Sequence, residues 1–267
     1  MQEVESYPHA TFSWVDLATT NPDAAKKFYS GLMGWEAEDF PAGENMVYTM
    51  LRLHGRDVAA LTGMPPFLEG TPPHWSSYIC VDDLDAAAAK ATELGGTIVM
   101  PPSDVMDAGR MAVVQDPTGA FFNLWQAGNH IGAKLVNIPG TLCWNELLSQ
   151  DAETAAKYYS TLFDWEVQRE TQQESGSDYI MFVNNGRFTG GLLQIQPEWG
   201  EMPSSWGVYF SVADCDAAAA KAVELGGKIL NPPTNIPGTG RFALIQDPQG
   251  AIFAAIKLDQ VDPPPSR

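Results

Sequence analysis

The chain has 267 residues, 45% of them apolar, and a formal net charge of −18 at pH 7. That is enough apolar material for one or two packed domains, and so acidic a surface repels nucleic-acid backbones and anionic lipid, so neither is expected as a partner. No apolar run approaches the roughly 20 residues that span a bilayer, residues 1–8 lack the basic-then-apolar order of a secretory leader, and the three scattered cysteines (Cys80, Cys143, Cys215) read as reduced thiols of a cytoplasmic protein.

Thr11 to Leu17 alternates in polarity and is rich in β-formers, which predicts a strand. Asn21-Pro22-Asp23 predicts a helix start, with an Asn cap and Pro in the first helical position. Ala25, Phe28, Tyr29 and Leu32 then recur at helical spacing, and Gly34 closes the helix. A weak strand signal lies around Glu36 to Phe40. Met46 to Leu53 and Asp57 to Met64 predict two strands about His54-Gly55-Arg56, and a proline-rich loop runs from Pro65 to Pro73. The order then recurs. Trp75 to Val81 is a predicted strand, and Asp82 or Asp83 caps an alanine-rich helix that ends at Gly95-Gly96. Three more strands are predicted over Thr97–Met100, Met111–Gln115 and Ala120–Gln126, with Asp116-Pro117-Thr118-Gly119 turning between the last two.

The whole pattern occurs a second time. Phe12-Ser13-Trp14-Val15-Asp16-Leu17 aligns with Leu142-Cys143-Trp144-Asn145-Glu146-Leu147 at an offset of 130. Asp85 to Ala91 aligns with Asp216 to Ala222, and Gln115 to Ala120 with Gln246 to Ala251, at an offset of 131. The reading is two copies, 1–127 and 140–260, joined by a linker over 128–139 and followed by a loose proline-rich tail over 261–267.

A βαβββ module used twice in each copy resembles the vicinal oxygen chelate superfamily of glyoxalases, bleomycin-resistance proteins and extradiol dioxygenases. The matching signatures are Phe28-Tyr29 and Tyr158-Tyr159, Gly34-Trp35 and Asp164-Trp165, Leu94-Gly95-Gly96 and Leu225-Gly226-Gly227, and the turns at Asp116 and Asp247. Asn129-His130-Ile131-Gly132 and Cys143 to Leu147 resemble a tandem, glyoxalase-like subgroup from actinobacteria. The fold implied is α+β: two tandem glyoxalase-like domains, each a curled mixed sheet built from two βαβββ modules with helices outside. The resemblance also implies metal-ligand positions on the first and last strands of each module. Here those positions fall near Trp14, Ala60, Ser76 and Asn123 in the first copy, and near Trp144, Gly190 or Gly191, Gly207 and Ala254 in the second. None is a good ligand for zinc, manganese or iron, so no metal and no cofactor is expected. Asp16, His74 and Asn123 form the one alternative ligand set, against which His74 reads as a solvated residue at a loop end.

No glycine-rich phosphate loop and no Gly-x-Ser-x-Gly elbow is present. What remains is a pocket. Asp16 and Glu146 are charged residues on half-buried strands, an arrangement that costs free energy unless it is used or paired, and they are the candidate catalytic groups. Trp14, Tyr48, Tyr78, Asn123, Trp125, Trp144, Tyr179 and Tyr209 are the candidate substrate-binding residues, each with core packing as the competing role. Arg110 and Arg241 are expected to pair with carboxylates, and His130 to bridge the copies. The expected ligand is a small hydrophobic or aromatic metabolite, bound or transformed by a monomer or homodimer, through lyase or hydroxylase-type chemistry if it is an enzyme. The alternatives are a metal-dependent lyase or dioxygenase with unusual ligands, and a non-enzymatic scaffold.

Overall fold

The structure, a computed structural model, describes residues 3–43, 46–64, 70–171 and 178–265. The first copy runs β1 (Thr11–Thr19), α1 (Pro22–Met33), β2 (Glu36–Pro41), β3 (Val47–Leu53), β4 (Arg56–Gly63), β5 (His74–Cys80), α2 (Leu84–Glu93), β6 (Thr97–Val105), β7 (Gly109–Gln115), β8 (Phe121–Ala127). The second repeats it as β9 (Leu142–Ser149), α3 (Ala152–Phe163), β10 (Glu166–Thr171), β11 (Asp178–Asn184), β12 (Arg187–Gln194), β13 (Ser205–Ser211), α4 (Cys215–Glu224), β14 (Lys228–Ile236), β15 (Gly240–Gln246), β16 (Ile252–Leu258). Each copy forms one eight-stranded mixed sheet, ordered β2-β3-β4-β1-β5-β8-β7-β6 and β10-β11-β12-β9-β13-β16-β15-β14. The expected α+β architecture is therefore present twice.

The helix signals act as read. The Asn21 side chain accepts the Ala24 N–H at 3.1 Å, and Gly34 ends α1 in the left-handed region at φ 74°. In α3 the cap is Asp151, and Asp164 takes the left-handed stop at φ 56°. Two boundaries differ from the sequence reading. The weak signal around Glu36 is the full strand β2, and the strand expected over Thr97–Met100 continues through Pro101-Pro102 to Val105. The prolines are accommodated because β6 is the outermost strand of its sheet, and its register to β7 shifts across them. An edge strand loses no ladder bond to the missing N–H. Part of the proline-rich loop, residues 65–69, lies outside the described residues.

The cores are shared between the copies. Helix α1 buries Phe28 and Tyr29 in a cluster with Phe210, Ala219 and Phe253 of the second copy. Helix α3 buries Tyr158, Tyr159 and Phe163 with Phe122, Leu84 and Ala88 of the first. Tyr29 donates to the Asp247 carboxylate at 3.0 Å and accepts from Trp75 Nε1 at 3.0 Å. Asp247 also caps its own turn, accepting the N–H groups of Gln249 and Ala251, so one carboxylate ties a local turn to the other copy. A third cluster lines the inside of the first sheet, where Trp14, Tyr78 and Trp125 meet Val4 and Tyr7 from the N-terminal segment and Ala133 and Val136 from the linker. The linker is bonded in place: Ala133 N–H reaches Ser13 O at 2.8 Å, Lys134 N–H reaches Asp57 O at 2.7 Å, and the Tyr7 hydroxyl donates to Ala133 O at 2.7 Å.

Candidate functional site

Asp16 and Glu146 occupy the same place in the two sheets. Asp16 on β1 lies in register with Ala60 of β4 and Ser76 of β5, and Glu146 on β9 with Gly191 of β12 and Gly207 of β13. Two residues earlier, Trp14 and Trp144 share the face of their carboxylates, as strand alternation requires. The next row contains Tyr78 beside Asn123, and Tyr209 beside Ala254.

These residues form the same polar relay twice. In the first copy Tyr78 donates to Asp16 Oδ2 at 2.7 Å and Tyr48 donates to the same oxygen at 3.2 Å, while Trp14 Nε1 donates to Tyr48 Oη at 3.0 Å. In the second, Tyr209 donates to Glu146 Oε1 at 2.6 Å, Tyr179 donates to Oε2 at 3.0 Å, and Trp144 Nε1 donates to Tyr179 Oη at 3.0 Å. Six of the predicted site residues are thus joined through side-chain hydrogen bonds to a carboxylate or to its partner tyrosine, and Asp16 and Glu146 are joined in separate relays rather than in one site. Burial raises both carboxylate pKa values above the ordinary range, and the tyrosine hydrogen bonds only partly offset that. The four tyrosines are pushed well above their usual value, first by burial and then by the adjacent carboxylate, and they stay protonated donors.

The two relays differ in exposure. Trp14, Asp16 and Tyr78 are 3%, 8% and 7% exposed, sealed by the N-terminal segment and linker. Trp144, Glu146, Tyr179 and Tyr209 are all half-buried. Asn123 is buried beside Tyr78, and its side chain has no hydrogen-bond partner among the described residues. Trp125 belongs to the sealed wall of the first copy, its Nε1 donating to His130 O at 3.0 Å. His130 corrects an expectation: it does not bridge the copies. Its ring packs edge-on against Trp14 with centroids 4.5 Å apart, inside the first copy, and its Nε2 has no partner among the described residues. The linker folds back over the first sheet before it reaches the second, which spacing alone does not show.

The positions at which the superfamily places metal ligands hold residues that do not fit a metal. Gly191, rather than Gly190, shares the concave row with Glu146, and any Cβ there would overlap the Tyr179 hydroxyl. Tyr179 and Trp144 fill the space that a ligand side chain from β12 would need. Among the described residues no three His, Cys, Asp or Glu side chains gather in a metal-holding cluster. His74 turns its Nδ1 to the Pro72 carbonyl at 2.9 Å, and its only influence on Asp16 is through charge. Burial pushes the Cys143 thiol up, and the Cys215 thiol to about 11, away from the thiolate form that a nucleophile needs. Arg110 and Arg241 pair with Asp85 and Asp216 at 2.7 Å, as expected.

A raised carboxylate pKa means that the folded chain holds the proton more tightly than the unfolded one. The stability it contributes is complete below the ordinary carboxylate range and is lost as pH rises through the raised value. Asp16→Asn is therefore expected to stabilise the protein at neutral pH, with the gain vanishing as pH falls to the ordinary carboxylate range near about 4. Thermal unfolding of both proteins across that range checks it; a gain independent of pH would show that Asp16 is not the titrating group.

Doubled βαβββ modules around two concave faces define this as a tandem protein of the vicinal oxygen chelate architecture. The chain belongs to the Glyoxalase/Bleomycin resistance protein/Dioxygenase superfamily, which matches residues 11–124 and 135–254. It is 45% identical over 259 residues to "Putative glyoxylase CFP32" of Mycobacterium tuberculosis, covering 96% of this chain and 98% of that one. It is 34% identical to "Anthracycline biosynthesis protein DauV" of a Streptomyces species, over 94% of both chains. Among solved structures, the Mn(II)-bound glyoxalase from Novosphingobium aromaticivorans has the same fold, with a TM-score of 0.67 at 14% identity over 96% of this chain and 84% of that one. An extradiol ring-cleaving dioxygenase from B. fuscum gives a TM-score of 0.68 at 17% identity, over 100% and 77% of the two chains. No described helix is long and apolar enough to cross a membrane.

Proposed function

We propose that the protein binds a small hydrophobic or aromatic molecule on the concave face of its second copy and transforms it by proton transfer, without metal, with Glu146 as general acid–base. The observation that carries this reading is the partly accessible relay Trp144–Tyr179–Glu146–Tyr209, set beside a counterpart of the same construction whose Trp14, Asp16 and Tyr78 are buried. Burial raises the Glu146 pKa above the ordinary carboxylate range, which makes it a stronger proton acceptor than an exposed carboxylate. Two tyrosine donors fix its orientation, and the Trp144 indole offers a flat apolar wall to a planar ligand. The resemblance to an anthracycline biosynthesis protein supports an aromatic ligand. Asp16, with its access closed, is assigned to the structural half of the pair.

Two measurements test this. Aromatic ketones and hydroxyquinones are titrated into the protein and read by thermal shift and tryptophan fluorescence, and exchange of their acidic protons is followed by NMR in deuterated water. Glu146→Gln is expected to retain binding and to slow exchange by at least about a hundredfold, the usual scale of general acid–base catalysis. Asp16→Asn is expected to leave exchange unchanged. Exchange that survives in Glu146→Gln, or that is abolished by a chelator in the unaltered protein, would overturn the proposal.

A further inference from the structure

A cavity of about 550 Å³ opens at the start of β9, between the N-terminal segment, the β11–β12 hairpin and the segment that follows β16. This lies within the size range of small-molecule sites. Its apolar wall includes Phe12, Val136, Leu142, Trp144 and Phe188, and its polar rim includes Arg187. The space has a counterpart in the first copy, where it is filled. There Ile131 to Lys134, following β8, lies along the sheet through the bonds from Ala133 and Lys134 N–H to Ser13 O and Asp57 O. The segment after β16 starts in the same way, with Asp259 N–H on Thr239 O at 3.0 Å matching Gly128 N–H on Ala108 O at 2.8 Å. At the repeat offset of 131, however, Gly132, Ala133 and Lys134 correspond to Pro263, Pro264 and Pro265. Proline has no N–H, so this segment cannot form those two bonds, and the space behind it stays open.

Arg187 adds a second observation. Arg52, Arg56, Arg110, Arg169 and Arg241 each meet a carboxylate. Arg187 meets none among the described residues; its guanidinium donates to the carbonyls of Pro263 and Pro264 instead. In the first copy the equivalent Arg56 is paired with Glu3 at 2.7 Å. An arginine without an acidic partner is out of place on a chain this acidic, and it stands at the mouth of a cavity with an apolar wall and a rim of asparagines, Asn137, Asn184 and Asn185. Thr189 Oγ1, also on the lining, is buried without a partner. We infer that the cavity is a second small-molecule site, for an apolar carboxylate. The carboxylate pairs with Arg187 in place of the two proline carbonyls, and the hydrocarbon body lies against Phe188, Leu142 and Val136. Asp262, whose carbonyl accepts from Asn137 Nδ2 at 3.1 Å, belongs to the displaced segment and moves its charge away with it. This site goes beyond the relay at Glu146, with which it shares only the Trp144 wall.

The test uses 4-phenylbutyrate and its neutral amide as probes of the full chain, by calorimetry. The acid is expected to bind at least about tenfold more tightly than the amide, the scale of a charge-assisted hydrogen bond. Arg187→Gln is expected to remove that preference while leaving amide binding within about twofold, and Glu146→Gln to leave acid binding within about twofold. Equal affinity of acid and amide in the unaltered protein would overturn the inference without recourse to any variant. Loss of acid binding in Glu146→Gln but not in Arg187→Gln would also overturn it, while leaving the proposed function standing.

Discussion

Residues 1–139 and 140–267, produced as separate polypeptides, are expected to lack a native monomeric fold, and to regain it when produced together. Neither of the two clusters that bury the helices is complete within one half. The cluster around α1 takes Val15, Phe28 and Tyr29 from the first copy and Phe210 and Phe253 from the second, and the cluster around α3 is the reverse combination. Buried hydrogen bonds cross the same boundary: Trp165 Nε1 to Ala10 O at 3.0 Å, Trp35 Nε1 to Gly140 O at 2.7 Å, and Ser77 Oγ to Asn145 Oδ1 at 2.7 Å. Separation exposes several large aromatic side chains per half, at about 1.5–3 kcal/mol each, which is comparable to the whole 5–15 kcal/mol of net stability typical of a domain. Circular dichroism, sedimentation and thermal unfolding of each half and of the mixture decide the matter. A half that unfolds cooperatively as a monomer near the midpoint of the whole chain would refute it. A smaller cut at the same seam, Tyr29→Phe, is expected to cost about 2–3 kcal/mol by leaving Asp247 and Trp75 Nε1 without their shared partner.

Gly191→Ala is expected to dismantle the second relay, at a cost of about 2–4 kcal/mol. The added methyl group would occupy the position of the Tyr179 hydroxyl and come within 3.0 Å of Trp144 Nε1. Tyr179 must swing away, which breaks its bonds to Glu146 and Trp144 together, each worth about 1–2 kcal/mol when the partners are left buried. Trp144 fluorescence should shift, and binding at Glu146 should weaken by at least about tenfold. In the first copy a methyl group already stands at this position, on Ala60, which is fully buried, and Ala60→Gly should cost only about 1 kcal/mol. Denaturant unfolding of both variants provides the comparison. Equal stability of Gly191→Ala and the unaltered chain would show that Tyr179 is not held where the relay requires it.

Most of the fold could be read from local signals. Asn21-Pro22 and Gly34 bound α1, and the two Asp-Pro-x-Gly turns lie where the repeat puts them, because caps and turns are decided by a few adjacent residues. The relays were partly legible. Alternation along β1 and β9 puts Trp14 with Asp16 and Trp144 with Glu146, but that Tyr48 and Tyr179 arrive from two strands away depends on register, which sequence periodicity does not fix. The course of the linker was not legible. Residues 128–139 have the glycine content of a loose connector, yet Ala133 and Leu135 are fully buried, because a glycine at φ 110° (Gly132) lets the chain lie directly on Ser13. Nor did any local signal show that Asp247, a turn residue, also holds Tyr29; that pairing arises only from the way the two copies interleave.

That interleaving sets a schedule for synthesis. Tyr29 and Asp247 are separated by 218 positions, so the apolar face of α1 emerges from the ribosome long before the surface that covers it. At about 5–20 residues per second the wait is roughly 10–40 s, during which Phe28 and Tyr29 lack the part of their native cover that Phe210 and Phe253 supply. The nascent first half is therefore the stage at which this protein depends most on chaperones, and a translational pause placed after residue 139 would prolong it.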